Sequence, residues 1–402
     1  MKCRLLCVRC AKTYPFQLMG KCECGGVLLV DYDLERAVRT MSKSELKERP
    51  FTMWRYRELL PVHKEERIVS LGEGGTPLIR MHRLEEQLSL KQVWVKREEQ
   101  NPTGSFKARG MSVAVSLLHE RGAGHAAVPS NGNAASALAA YAARAGMKAT
   151  VALPRDCPAP IIDECRYYGA AIELIDGLIH QAGERIELGV RENGWYHVGT
   201  MKEPGRVEGK KTMGYEVAEQ LGWKLPDVIV YPTGGGSGVI GMWKAFRELQ
   251  ALGWVNDPMP RFVCVQEEGC VPVVEGFAAS RDTAAIGVAA DKRRLTPRAV
   301  FRPTPNERVT SQPTGMRVPA PPDGGLIVSI VLESQGSAMA VSATEIAEAQ
   351  RRLAGMGVSA SPEGAATLAG LLKLAAQGCV TDRDRVVLFN TAHAQKYGVT
   401  AM

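Results

Sequence analysis

The sequence predicts an α/β protein whose parallel-type sheets are covered by helices on both faces. Apolar runs of strand composition alternate along the chain with alanine-rich segments of helical length. Glycine and asparagine cluster at the joins, where turns need them. At 402 residues the chain exceeds one small core, so two or three folding units are expected.

The first unit is residues 1–35, a cysteine-rich flap in which "CVRC" and "CEC" flank a short hairpin-like segment and "GGVLLVDYDL" leaves as a strand. Cys7, Cys10, Cys22 and Cys24 read C-x2-C, eleven intervening residues, then C-x-C. Four thiolates so grouped can hold one tetrahedral zinc in a ribbon-like site, replacing the core that so short a segment cannot build. A metal-free flap is the alternative, and Cys3 is a spare thiol. From Glu45 onward "KQVWVKRE", "HAAVPS", "KATVALP", "AAIELID", "DVIVYPT", "RFVCVQEE" and "DRVVLFN" read as strands. Between them "AASALAAYAARAG", "IIDECRYYGA", "MGYEVAEQLG", "IGMWKAFRELQALG", "ATEIAEAQRRLAGMG" and "GAATLAGLLKLAAQG" read as helices. A basic cluster, Asp291–Arg302, leads into seven prolines between Pro297 and Pro322. This stretch, about 291–322, reads as an exposed insertion or lid with little core to contribute. Strand and helix patterns resume after it at "GLIVSIVL".

Composition excludes several classes. Ten cysteines in 402 residues are no disulfide scaffold. No run of about 18 apolar residues occurs, and "MKCRLLCVRC" lacks a signal-peptide core, so a cytoplasmic protein without a membrane partner is expected. The net charge of +7 is spread over a chain with nearly as many acids as bases, which argues against nucleic acid and suits an anionic small molecule.

Three turns carry chemistry. In "NPTGSFKARGM" a polar turn delivers Lys107 to the start of a helix that Ser105 is placed to cap. The helix dipole there disfavours an ammonium, so Lys107 reads as a Schiff-base amine unless it is a plain surface charge. In "YPTGGGSGVIGMW" the glycines Gly234, Gly235, Gly236 and Gly238, with the Ser237 hydroxyl, let successive N–H groups face one phosphate at a helix N-terminus. "PSNGNAASALAAYAARAG" sets Asn131, Gly132 and Asn133 at a third strand-to-helix turn, and "VVLFNTAHAQKY" ends a strand with Asn390, Thr391 and His393. An amine, a phosphate cradle, an amide for a phenolic oxygen and a hydroxyl for a ring nitrogen are together what pyridoxal phosphate requires.

With "RVEGKKT" and "SPEGAATLAGL" added, these motifs resemble threonine synthases, fold-type II pyridoxal phosphate enzymes of the tryptophan synthase β class. The resemblance covers nearly the whole chain except the proline-rich insertion. It implies two αβα lobes, the smaller over 111–201 and the larger built from 36–110 and 202–402, with the cofactor between them, and a homodimer. It also implies roles: Lys107 binds the cofactor and moves protons, Asn133 meets its 3-hydroxyl, Gly234–Gly238 its phosphate, and Thr391 its pyridine nitrogen. Ser130, Asn131 and Gly132 would cradle a substrate carboxylate, and Arg206 a substrate phosphate. The implied reaction turns O-phospho-L-homoserine and water into L-threonine and phosphate. The alternative is β-elimination or β-replacement on a hydroxy- or phospho-amino acid. Ala108, Thr200, Glu203, Ala394 and Gln395 depart from the family's usual residues, at positions expected near the substrate side chain.

Overall fold

The computed structural model describes residues 3–283, 299–312 and 315–398. The flap is a three-stranded antiparallel sheet, order β2-β1-β3, made by β1 (Cys3–Cys7), β2 (Thr13–Pro15) and β3 (Leu28–Tyr32). After β4 (Leu78–Arg80) and β5 (Gln92–Arg97) come β6 (His125–Pro129), β7 (Lys148–Pro154), β8 (Ala171–Ile175) and β9 (Tyr196–His197). These last four form a parallel sheet of order β8-β7-β6-β9. The chain then returns with β10 (Val228–Pro232), β11 (Arg261–Glu267), β12 (Ser337–Val341) and β13 (Arg385–Asn390). They build a six-stranded sheet of order β12-β11-β10-β13-β5-β4, parallel except for β4 at its edge. β10, in the interior, is buried along its whole length, as a strand covered on both faces must be.

Three helices meet closely enough to define the site. Gly205–Gln220 packs against Lys107–Glu120 on one side and Ser237–Ala251 on another. A Cβ on Gly110 would lie 2.8 Å from the Arg206 carbonyl, and one on Gly209 would overlap the Arg109 carbonyl. Glycine is required at both, and the approach brings Lys107, Arg206 and Lys210 near one another. A buried ion-pair network locks the register. Arg109 Nε donates to Glu98 Oε2 at 2.7 Å, its Nη1 to Glu216 Oε1 at 2.6 Å, and Lys96 Nζ to Glu216 Oε2 at 2.7 Å. The two positive partners overcome burial and hold the Glu216 carboxyl down at about 2.

One expectation changes and two open readings resolve. "GLIVSIVL", where strand and helix patterns resume, lies in a helix, Gly324–Glu333, with Asp323 accepting from the Leu326 N–H. It is apolar nearly all round because it is buried between other elements, a case that periodicity does not separate from a buried strand. Ser105 does not cap the Lys107 helix. Its backbone is extended and bridges to Ala392, leaving the hydroxyl buried without a partner. Of the two forms expected for the proline-rich segment, insertion or lid, the described part takes the second: residues 303–306, 315–316 and 318–320 line a cavity, and Met316 is buried. The basic cluster Asp291–Arg302 lies largely outside the described residues.

Candidate active site

Lys107 is placed by a staple between distant parts of the chain. Phe106 N donates to Thr391 O at 3.0 Å and His393 N to Gly104 O at 2.9 Å, flanking the Ser105–Ala392 bridge. The turn after β13 thereby fixes the turn that presents the lysine. Both open onto a cavity of about 640 Å³, within the usual range for a small-molecule site. Lys107, Thr391, the Ser130–Asn133 turn and the Gly234–Gly238 turn all line it.

The glycine turn leads from β10 into the Ser237–Ala251 helix, so that helix's N-terminal N–H groups and the loop amides share one end of the cavity. Gly236 has φ +74°, and a Cβ there would overlap Ile327. Lys210 Nζ donates to Ser237 Oγ at 2.5 Å. At the Asn133 turn, Nδ2 donates to Tyr397 OH at 2.9 Å, and that hydroxyl donates to Glu363 Oε1 at 2.5 Å. Asn133 Oδ1, Asn131 Oδ1 and Glu363 Oε2 are buried with no protein partner. Such atoms are costly unless a ligand completes them. Ser130 spends its hydroxyl on its own turn, accepting from Gly132 N at 2.9 Å.

Burial lowers the Lys107 pKa to about 7, and the Arg206 charge adds to the shift while Glu363 opposes it. Lys210 is pushed well below its ordinary value by burial, then by Arg206 and Lys107. Burial also lowers Arg206 to about 10, with Glu203 opposing, and raises Glu203 to about 7.

The structure separates the remaining candidates. Arg206 is wholly buried and does not line the cavity. Its Nη1 donates to Val198 O, while Nε and Nη2 have no partner. Among the departures only Thr200 reaches the cavity wall. Ala108 is core, and Glu203 accepts from Gly205 N and Arg206 N at the start of their helix. Ala394 and Gln395 also lie off the cavity. His393 accepts from Gln395 N and does not reach it either. Three lining or adjacent residues carried no role in the sequence reading: Glu363, Tyr397 and Lys210. All three stood inside quoted motifs, "SPEGAATLAGL", "VVLFNTAHAQKY" and "RVEGKKT"; their vicinity exists only in the fold.

In the flap, the sulfurs of Cys7, Cys10, Cys22 and Cys24 lie within 4.8 Å of one another, with Cys7–Cys24 at 3.5 Å and Cys10–Cys22 at 3.6 Å. A zinc–sulfur bond of about 2.3 Å sets tetrahedral sulfur separations near 3.8 Å, so the four fit that ion.

The donor set suits pyridoxal phosphate: a low-pKa amine, a glycine turn at a helix N-terminus, and a buried amide oxygen left open. Comparison with known proteins agrees. The family model "Pyridoxal-phosphate dependent enzyme" matches residues 69–392. A threonine synthase of Methanocaldococcus jannaschii is 35% identical over 393 residues, 97% of this chain and 92% of its own length. That of Methanosarcina acetivorans is 35% identical over 98% of this chain and 92% of its own length. Among solved structures, the processed form of threonine deaminase isoform 2 from Solanum lycopersicum superposes with a TM-score of 0.63 at 18% identity, covering 96% of this chain and 99% of its own. Maize serine racemase gives 0.62 at 20% identity over 79% of this chain and 88% of its own. Those two likenesses show the fold alone, whereas the family match and the closer relatives show descent: this chain belongs to the pyridoxal-phosphate dependent enzyme family, among the threonine synthases.

Proposed function

We propose that the protein converts O-phospho-L-homoserine and water into L-threonine and phosphate. The observation that carries the reading is a cluster of three basic side chains beside the cavity, the partly buried Lys107 and the wholly buried Arg206 and Lys210, which act on one another electrostatically and of which none is in an ion pair with an acid among the described residues. Elsewhere in the cavity wall Lys202 is matched by Glu187 at 2.5 Å. Unmatched buried charge costs several kcal/mol unless an anion answers it, and two phosphates, one of the cofactor and one of the substrate, would do so. The alignment with relatives named threonine synthase over nearly the whole chain supports the same substrate.

Bound pyridoxal phosphate supplies an electron sink for charge developing at the substrate's α-carbon. Its phosphate is assigned to Gly234–Gly238, its 3-hydroxyl to Asn133, and its ring nitrogen to Thr391. The substrate carboxylate is assigned to the Ser130–Gly132 turn, where Asn131 and the backbone remain to meet it. Lys107, with a pKa near neutrality, accepts a proton from Cα and then one from Cβ. Phosphate leaves Cγ, Cγ gains a proton to become the methyl group, and water gives its hydroxyl to Cβ. The three protons released, from Cα, Cβ and water, go to Cγ, back to Cα and to the departing phosphate. Arg206 lies off the cavity with its Nη1 on the Val198 carbonyl, so direct contact with the substrate phosphate needs the cavity wall to rearrange. Its two unpartnered nitrogens are the donors for that contact. In the flap we assign one structural zinc to Cys7, Cys10, Cys22 and Cys24.

The test is phosphate release and amino-acid product measured side by side for phosphohomoserine, phosphoserine, threonine and serine. Threonine and phosphate in equal amounts from phosphohomoserine are expected. Deamination of threonine or serine without turnover of phosphohomoserine overturns the proposal. Arg206→Ala is expected to raise KM for phosphohomoserine tens-fold or more with the cofactor spectrum unchanged, and Arg206→Lys to recover part of the loss.

A further inference from the structure

Lys210 is a basic group that no acid answers among the described residues. Three lysines there are wholly buried: Lys96, Lys210 and Lys211. Lys96 pairs with Glu216 at 2.7 Å, and Lys211 with Glu208 at 2.7 Å and Glu248 at 3.0 Å. Lys210, next to Lys211 on the same helix, has no carboxylate within ion-pair distance among the described residues, and its hydrogen bond goes to the Ser237 hydroxyl. An ammonium has three donors, and burying it without an anion is costly where methionine would fill the same space at no such cost. Ser237 belongs to the glycine turn. Lys210 Nζ also lies 5.5 Å from the centre of the Phe106 ring, which Lys107 Nζ approaches at 4.2 Å. The side chain therefore ends between the presenting turn of Lys107 and the anion turn after β10.

We propose that Lys210 is a ligand of the cofactor phosphate, its ammonium completing the Gly234–Gly238 turn and supplying much of the phosphate's share of cofactor affinity. The inference rests on the cofactor and is independent of which amino acid is the substrate. Burial lowers the Lys210 pKa in the cofactor-free protein, and a bound dianion beside it would raise it again. The groups that set this balance are Arg206 and Glu203 at the start of its own helix and Lys107 on the neighbouring one, with the neutral Ser237 on the third. Phosphate binding should therefore take up a proton.

Cofactor-free enzyme should be titrated with pyridoxal phosphate and with pyridoxal, which lacks the phosphate. Lys210→Met and Lys210→Gln are expected to raise Kd for pyridoxal phosphate by tens-fold or more while leaving Kd for pyridoxal almost unchanged. Equal losses for both ligands would mark a structural role and overturn the proposal. So would no change for either, or an effect confined to KM for phosphohomoserine. If neither variant folds, wild-type protein decides by calorimetry in two buffers of different ionisation heat at about pH 8, where the free phosphate is already a dianion. Pyridoxal phosphate should take up more protons than pyridoxal; equal uptake rejects the assignment.

Discussion

At Lys107 three influences act on one nitrogen. Burial and the Arg206 charge favour the neutral amine, and Glu363 pulls the other way without winning. The result places the pKa at about 7, against 10.5 for a free lysine, so a large share of the side chain is nucleophilic at neutral pH. Borohydride reduction of the holoenzyme followed by peptide mapping should put the pyridoxyl label on Lys107, and label on Lys96 or Lys210 instead would refute the assignment. The same shift has a stability consequence in cofactor-free protein. Between about 7 and 10.5 the unfolded chain holds a proton on Lys107 that the folded chain has lost, so folding gains as pH rises through that window. Wild-type protein should therefore gain on Lys107→Met by up to about 1.4 kcal/mol per pH unit from pH 7 upward, less where cavity water screens the amine. Denaturant midpoints at several pH values measure this, and a parallel pair of curves would contradict it.

Elements show which parts of the site a sequence can reveal. The Lys107 turn, the glycine turn and the cysteine spacing are local: each puts the residues its chemistry needs within fewer than twenty positions. The Asn133–Tyr397–Glu363 chain and the Lys210–Ser237 contact are not local, because their partners stand 264, 34 and 27 positions apart and meet only in the fold. "GLIVSIVL" failed to declare itself for a related reason, since burial on all sides erases the period that tells helix from strand. Only part of the flap was a matter of spacing. C-x2-C and C-x-C suggested four ligands, but the antiparallel pairing of β1 with β2 and β3 is what gathers them. The flap also touches the site: Tyr196 OH donates to Leu18 O at 2.6 Å, and a Cβ on Gly20 would overlap the Met201 carbonyl, next to the cavity-lining Thr200 and Lys202. Metal analysis of protein purified without chelator should find one zinc per chain, lost when Cys7 and Cys10 become serine, with much of the activity kept. Fully active wild-type protein free of metal would sink this.

For the molecule as a whole, the covering segment is joined to the four-stranded sheet across the cavity by a clasp. Arg317, nearly buried, donates from both Nη atoms to Asp156, at 2.7 and 2.8 Å, and its carbonyl accepts from Asn131 Nδ2 at 2.7 Å. Asp156 follows β7, so the clasp ties a strand end of one sheet to a segment that rests on the glycine turn of the other. The Asp156 carboxylate is half exposed, so the pair contributes only about 1 kcal/mol, enough to bias a closure without fixing it. The hydrogen bonds from Arg317 hold the Asp156 pKa below its ordinary value, so the clasp is present at neutral pH and is lost as pH falls through that lowered range. Asp156→Asn should raise KM for the amino-acid substrate several-fold, because the site must then be covered without the ion pair, while Kd for pyridoxal phosphate stays as it was. Cleavage by a protease within residues 303–322 should quicken in the same variant. A substitution that leaves both KM and cleavage unchanged would mean that the segment is held by the packing of Met316 and the Gly315–Glu363 contact alone, and that Arg317 and Asp156 merely face each other across its edge.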